Sequence, residues 1–256
     1  STNSLIYAER RLMSQGYKDF FLKQDKNQLS DFIDSRRQKN SLRIHAIASI
    51  VRKHTSKEIK NLTILEYGCG TGYAIKEFAL MGNKGVGVDV FDEIIAIAQK
   101  DHALIPNLEF IKISDRLPFA DKSFDFVFCA EVIEHVPLAK RDNYFKEFRR
   151  VMNDDGVGYI SYPNFWFPIE IHYFIPFHHL LKKIVPWKNL IYEDIPSKFQ
   201  VRRDLSRHFE YLIVAKDFLE SSYVSTYYPK VKVLFTKLLS VTPFSIQDYL
   251  LLRPKA

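Results

Sequence analysis

The sequence predicts an α/β protein built on a doubly wound, mostly parallel sheet. Three observations carry that expectation. Apolar, β-branched runs alternate with amphipathic stretches through the middle of the chain, the rhythm of successive βαβ units. The first run ends in Glu66-Tyr67-Gly68-Cys69-Gly70-Thr71-Gly72, a glycine-rich turn that lets a bulky ligand approach bare backbone. The second run ends in Val88-Asp89, an acid about 20 residues after the loop's first glycine, where nucleotide-binding sheets place a carboxylate against both ribose hydroxyls.

From 4 to 60 the apolar residues recur at helical spacing, as in Leu42, Ile44, Ala46, Ile47, Ile50 and Val51, and predict two or three helices. A strand over 63–67 then leads through the glycines into a helix from Tyr73. Strands follow over 85–90, 108–113 and 124–129, with a helix from Asp92 between the first two. A helix over 138–152, a turn at Asp154-Asp155-Gly156 and a strand over 157–162 complete the parallel set. Near the end, a helix over 230–239 and Pro243 precede a strand over 246–252. Residues 164–197 differ from all of these. Phe165, Trp166, Phe167, Tyr173, Phe174 and Trp187 sit among prolines without a period, which predicts a lid. Two roles suit it: a roof over an apolar substrate pocket, or an interfacial element that dips its rings toward lipid while Lys182 and Lys183 meet headgroups.

The chain has 256 residues, 46% of them hydrophobic, enough for one sizeable core. A single domain over 1–256 follows, with a helical cap at 1–60, a ligand-binding core at 61–163, the lid insertion at 164–200 and completion of the sheet at 201–256. No apolar run approaches the roughly 18 residues of a membrane span, and the first residues lack a charged start followed by an apolar stretch. The expectation is a cytoplasmic protein, peripheral to a membrane only through the lid, with Cys69 and Cys129 as reduced thiols. A net charge of +7 admits acidic partners such as RNA or anionic headgroups. The basic doublets Arg36-Arg37, Arg149-Arg150, Lys182-Lys183 and Arg202-Arg203 are dispersed, however, and no compact RNA-binding module is visible.

The chemistry concentrates in two places. At the glycine loop, a dinucleotide fingerprint needs a small residue where Tyr73 stands, which weakens a dehydrogenase assignment. Glu66 at the strand's end would repel a pyrophosphate and attract a cationic amino group. An acid followed by GxGxG resembles the first motif of the class I S-adenosylmethionine-dependent methyltransferases, and the similarity runs over 62–164 and again in the last strand. The resemblance implies a seven-stranded Rossmann-like sheet closed by an antiparallel strand, with S-adenosylmethionine as cofactor. It places Glu66, Gly68, Cys69, Gly70 and Gly72 around the methionine moiety and Asp89 with Val90 at the ribose. Ser114 and Asp115 fall at the adenine amino group, and Ala130 is a further lining residue. Asp89 equally suits an N-cap for the following helix.

The second place is Glu131-Val132-Ile133-Glu134-His135. On a helix these three polar side chains fall at i, i+3 and i+4 and share one face at the mouth of the cleft. They form an oxygen-rich set suited to Mg²⁺ or Mn²⁺, to which the resemblance named next adds His172 as an implied further ligand. The string is similar to the ExxEH motif of ubiquinone-pathway O-methyltransferases and of the methyltransferases of small-RNA 3′ ends. That resemblance implies a vicinal diol chelated to the ion and methylated by in-line displacement. Similar strings also occur in methyltransferases without metal, and there His135, Glu131 or His172 is the candidate catalytic group, with an imidazole suited to general base work at neutral pH. His178 and His179 read as lid-packing residues. A looser likeness of Tyr162-Pro163-Asn164, Trp166, His172 and Phe177 to bacterial surface-glycan methyltransferases implies a sugar hydroxyl on a lipid-linked carrier as acceptor. An RNA 3′ end and a small aromatic diol are the rival acceptors, and a catalytically silent S-adenosylmethionine-binding scaffold is the alternative of another class.

Overall fold

The computed structural model describes residues 26–114, 116–163, 197–221 and 247–255, with side chains from Asn40 onward. Asp115, the aromatic stretch with His172, His178 and His179, and the expected helix over 230–239 lie outside the described residues.

The first helix, α1 (Lys26–Thr55), is one continuous run of 30 residues where the spacing suggests two or three over a longer stretch. Neither Gly nor Pro interrupts it, so nothing in the backbone forces a break. Ile44, Ile47 and Val51 bury one face. The helix stops where Ser56 turns left-handed at φ 58, and Arg52, Lys53 and His54 in its last turn complement the negative end of the helix dipole.

The remaining elements alternate: β1 (Thr63–Tyr67), α2 (Tyr73–Leu80), β2 (Lys84–Asp89), α3 (Asp92–Asp101), β3 (Leu108–Lys112), β4 (Phe124–Ala130), α4 (Leu138–Val151), β5 (Met152–Pro163), α5 (Lys198–Leu205), β6 (Phe209–Ile213), α6 (Ala215–Leu219) and β7 (Gln247–Pro254). They form the expected seven-stranded sheet, in the order β3-β2-β1-β4-β5-β7-β6. Only β7 runs against the others, paired antiparallel with β5 and β6. Strand order reverses between β1 and β4, which opens a crevice at the carboxyl ends of those two strands.

Alternation of side chains along the strands divides the core into two layers. Ile64, Phe126, Phe128, Tyr159 and Leu251 meet α1, α2, α3 and α6 on one face. Leu65, Val127, Cys129, Ile160, Leu250 and Leu252 meet α4 and α5 on the other. The second face is pinned by a buried ion pair. Arg202 of α5 donates to both oxygens of Asp248 on β7 at 2.7 and 2.5 Å, and the Tyr162 hydroxyl of β5 donates to the same carboxylate at 2.8 Å.

Two local expectations are corrected. The turn at Asp154-Asp155-Gly156 is an excursion inside β5, because Phe124 pairs with Met152 while Phe126 pairs with Val157, leaving the intervening residues bulged out of the ladder. The helix expected to carry Glu131, Glu134 and His135 is a single 3₁₀ turn, Ile133–His135. Glu131 before it is left-handed at φ 62, and Pro137 after it holds Val136 extended at φ −90, ψ 120, so no further helical turn fits. Among the described residues no helix is long and apolar enough to cross a membrane.

Candidate active site at the crevice between the first and fourth strands

The loop after β1 is built from three left-handed glycines, Gly68 at φ 71, Gly70 at φ 52 and Gly72 at φ 79. It is tied down from the sheet side. The amides of Gly68 and Cys69 donate to the Val88 carbonyl at 2.8 and 3.0 Å, and the Gly70 amide donates to Asp89 Oδ2 at 3.0 Å. A Cβ at Gly68 would run into Val132 and one at Gly72 into the Phe110 ring, whereas a Cβ at Gly70 would meet nothing within 4 Å. The loop is therefore pressed against protein at its two ends and open at its centre, the geometry a large ligand resting on backbone requires.

Glu66 is buried beneath this loop, 6% exposed, and accepts the Ile75 amide of α2 at 2.8 Å. Burial pushes its carboxyl up to about 8, against the Ile75 hydrogen bond and the Arg43 guanidinium that pull it down. Burial therefore favours the protonated form of this acid, which caps the first turn of α2. Asp89 spends both oxygens on backbone: Oδ1 accepts from Val90 at 2.7 Å and Phe91 at 3.2 Å, and Oδ2 from Gly70. It thus turns the chain into α3 and fastens the glycine loop, and burial raises its carboxyl too. Burial likewise raises the Cys69 thiol well above its ordinary value. Val90 follows Asp89, and Ser114 lies exposed beyond β3.

The opposite wall begins at Ala130, the last residue of β4, and continues into Glu131. The Glu131 amide donates to the Ser161 carbonyl at 2.9 Å. Its Oε1 is held twice, by Arg43 Nη2 of α1 at 3.4 Å and by Gln247 Nε2 of β7 at 2.8 Å. Arg43 Nη2 also lies 3.3 Å from Ser161 Oγ, and the Tyr249 hydroxyl donates to Gln247 Oε1. Glu131 Oε2 accepts no hydrogen bond among the described residues, and the side chain is 39% exposed.

Glu134 is buried where Glu131 is part-exposed. It is 4% exposed, its Oε2 has no partner among the described residues, and burial followed by the Glu131 charge pushes its carboxyl up to about 8. His135, the last residue of the turn, is exposed. The helical face expected to carry the three side chains is replaced by one 3₁₀ turn after a left-handed residue. Among the described residues no three His, Cys, Asp or Glu side chains gather as a ligand set, and His172, the fourth expected ligand, lies outside them.

The crevice thus brings together Glu66, the glycine loop, Asp89, Ala130 and Glu131, with Glu134 buried close to the Glu131 charge, and adds Arg43, Ser161, Gln247 and Tyr249. Arg43 carried one legible signal, a lone cation beside the buried helical positions Ile44 and Ile47.

Residues 65–160 match the methyltransferase domain family. The chain is 32% identical over 101 residues to a ubiquinone biosynthesis O-methyltransferase of Hydrogenovibrio crunogenus, a match covering 38% of this chain and 39% of that protein. The chain therefore spans well under half the length of this relative. In fold it is similar to a protein from Pyrococcus horikoshii, with a TM-score of 0.58 at 18% identity over 83% of this chain and 90% of that one. It is also similar to a phosphoethanolamine N-methyltransferase of Haemonchus contortus solved with S-adenosylhomocysteine, with a TM-score of 0.54 at 14% identity over 81% of this chain and 52% of that one.

Proposed function

We propose that the chain, which carries a class I S-adenosylmethionine-dependent methyltransferase domain, methylates a hydroxyl of a neutral, polyhydroxylated acceptor, a sugar or other vicinal diol, with Glu131 receiving the hydroxyl proton. The observation that carries this reading is the carboxylate of Glu131 at the crevice mouth, fixed through Oε1 by Arg43 and Gln247 with Oε2 left open. Its left-handed backbone, uncommon for a residue with a Cβ, is strain of the kind retained at functional positions. An anionic acceptor such as RNA would meet this carboxylate, while a neutral hydroxyl can donate to it. The relative named for O-methylation supports oxygen as the accepting atom.

When bound, S-adenosylmethionine would supply an electrophilic methyl carbon: a lone pair of the acceptor oxygen would form the new bond to it, and the sulfur would keep the electron pair of the bond that breaks. The chain's residues do the rest. The glycine loop would receive the amino-acid portion on backbone, Asp89 would accept from the ribose hydroxyls, and Arg43 holds Glu131 and Ser161 in place beside them. Glu131 orients the hydroxyl and takes its proton on Oε2 as the oxygen–methyl bond forms, and Gln247, by holding Oε1, keeps Oε2 aimed. No step is derived through a divalent ion, since among the described residues no ligand set gathers.

The test is incubation with methyl-labelled S-adenosylmethionine and separate pools of glycans, catechols and RNA, with and without EDTA. Label is expected in a glycan or catechol hydroxyl and is expected to survive chelation. Glu131→Gln is expected to lower kcat about 100-fold, the low end for loss of a general base, with cofactor affinity unchanged. Label in RNA, or full activity in Glu131→Gln, overturns the proposal. Tight cofactor binding with no labelled pool would favour the non-catalytic scaffold.

A further inference from the structure

We infer that His102 is a positioning residue for the cofactor, holding the Thr71-Gly72 peptide from beneath in the shape that receives the adenosyl donor; this rests on the cofactor assignment above. His102 follows α3, and its main chain is anchored on both sides, its amide donating to the Ala98 carbonyl at 3.1 Å and its carbonyl accepting from Ile105 at 3.0 Å. The side chain is buried, 6% exposed, edge-on to Tyr73 with centroids 5.2 Å apart and tilted against Phe110 at 5.7 Å. Its Nε2 lies 2.9 Å from the Thr71 carbonyl oxygen. A carbonyl only accepts, so this nitrogen carries the proton and donates.

Gly72 rests on the same two rings. A Cβ there would strike Phe110 and stand 3.1 Å from His102 Cδ2. The far end of the loop therefore sits on a plate of two aromatic side chains, locked by one directed hydrogen bond, while Gly70 faces open space on the other side. Packing alone would be served by a second phenylalanine, with no polar atom to bury. The imidazole adds a donor aimed at the one peptide whose orientation sets the direction of α2's first turn. His102 does not touch the ligand; it acts through the loop.

The experiment compares His102→Phe, which keeps a ring but loses the donor, with His102→Gln, which keeps a donor but loses the ring. Each full-length variant is titrated calorimetrically with S-adenosylhomocysteine, with thermal unfolding and hydrogen exchange of peptides covering 66–76 measured alongside. His102→Phe is expected to weaken binding roughly two- to tenfold, the range that loss of one hydrogen bond converts to, and to speed exchange in the loop. His102→Gln is expected to recover at least half of that lost affinity. Unchanged affinity and unchanged exchange in His102→Phe overturn the role. So does an equal loss in both variants that tracks a lowered melting temperature, the signature of packing alone. An unsubstituted protein that gives no heat with S-adenosylhomocysteine overturns the cofactor assignment itself, an outcome distinct from a loss confined to His102→Phe.

Discussion

Glu66 accepts the Ile75 amide from a buried position, and Glu134 is buried close to the Glu131 charge; both carboxyls sit near 8 against an ordinary value of 4.5. A folded-state value above the unfolded one means that the folded chain binds more protons between those two points, so stability is lost as pH rises from about 4.5 toward 8. The unliganded protein is therefore expected to melt at progressively lower temperature from pH 5 to pH 8, and Glu66→Gln with Glu134→Gln is expected to flatten that slope. Melting curves across the range check this, and a rise in melting temperature would contradict it. Arg43 opposes both raised carboxyls, so Arg43→Ala is expected to push them higher and to steepen the same pH dependence of the melting temperature, with Arg43→Lys intermediate. The identity of Glu66 was legible from its place before the glycines. Its protonation was not, because burial is a property of the packed sheet. Arg43 and Gln247 were missed for a related reason: they reach Glu131 from elements far away in the sequence, and no local spacing encodes that meeting.

At the level of elements, periodicity located β1, α2 and the starts of α3 and α4 because each begins at a sharp change from glycine or polar turn to an apolar period. It misjudged Glu131 to His135, where helical spacing is overridden by the left-handed Glu131 and by Pro137. It misjudged Asp154 to Gly156, where turn-forming residues are absorbed as a bulge within β5. It gave no account of β6, whose Phe209-Glu210-Tyr211-Leu212-Ile213 is strand-like but lies between two short helices and pairs only with β7. The attachment of α5 depends on Arg202 and Asp248, the latter 1% exposed. Removing one partner leaves the other charge buried, so Arg202→Ala is expected to cost about 3 kcal/mol of unfolding free energy. Chemical denaturation measures this, and a loss below about 0.5 kcal/mol, the scale of an exposed pair, would show that the pair is not buried in solution.

Across the whole molecule, the sheet's reversal between β1 and β4 fixes where a ligand can lie, and both chemical clusters found in the sequence fall on that crevice. The parallel order, the glycine loop and the acid ending β2 were legible because each is a local pattern with one structural use. The acceptor side was less so, since it is assembled from α1, the end of β4, β5 and β7, and the expected lid falls outside the described residues. The central claim is that the open face of the glycine loop is a cofactor seat. Gly70 tests it directly, because a methyl group there meets no protein atom, yet would occupy the space the ligand needs. The decisive measurement is calorimetric titration of S-adenosylhomocysteine into the unsubstituted protein and into Gly70→Ala. The account predicts about one site per chain in the former. In the latter it predicts at least a tenfold loss of affinity, with only about 1–2 kcal/mol of stability lost to the left-handed backbone. No heat from the unsubstituted protein, or undiminished affinity in Gly70→Ala, would contradict it.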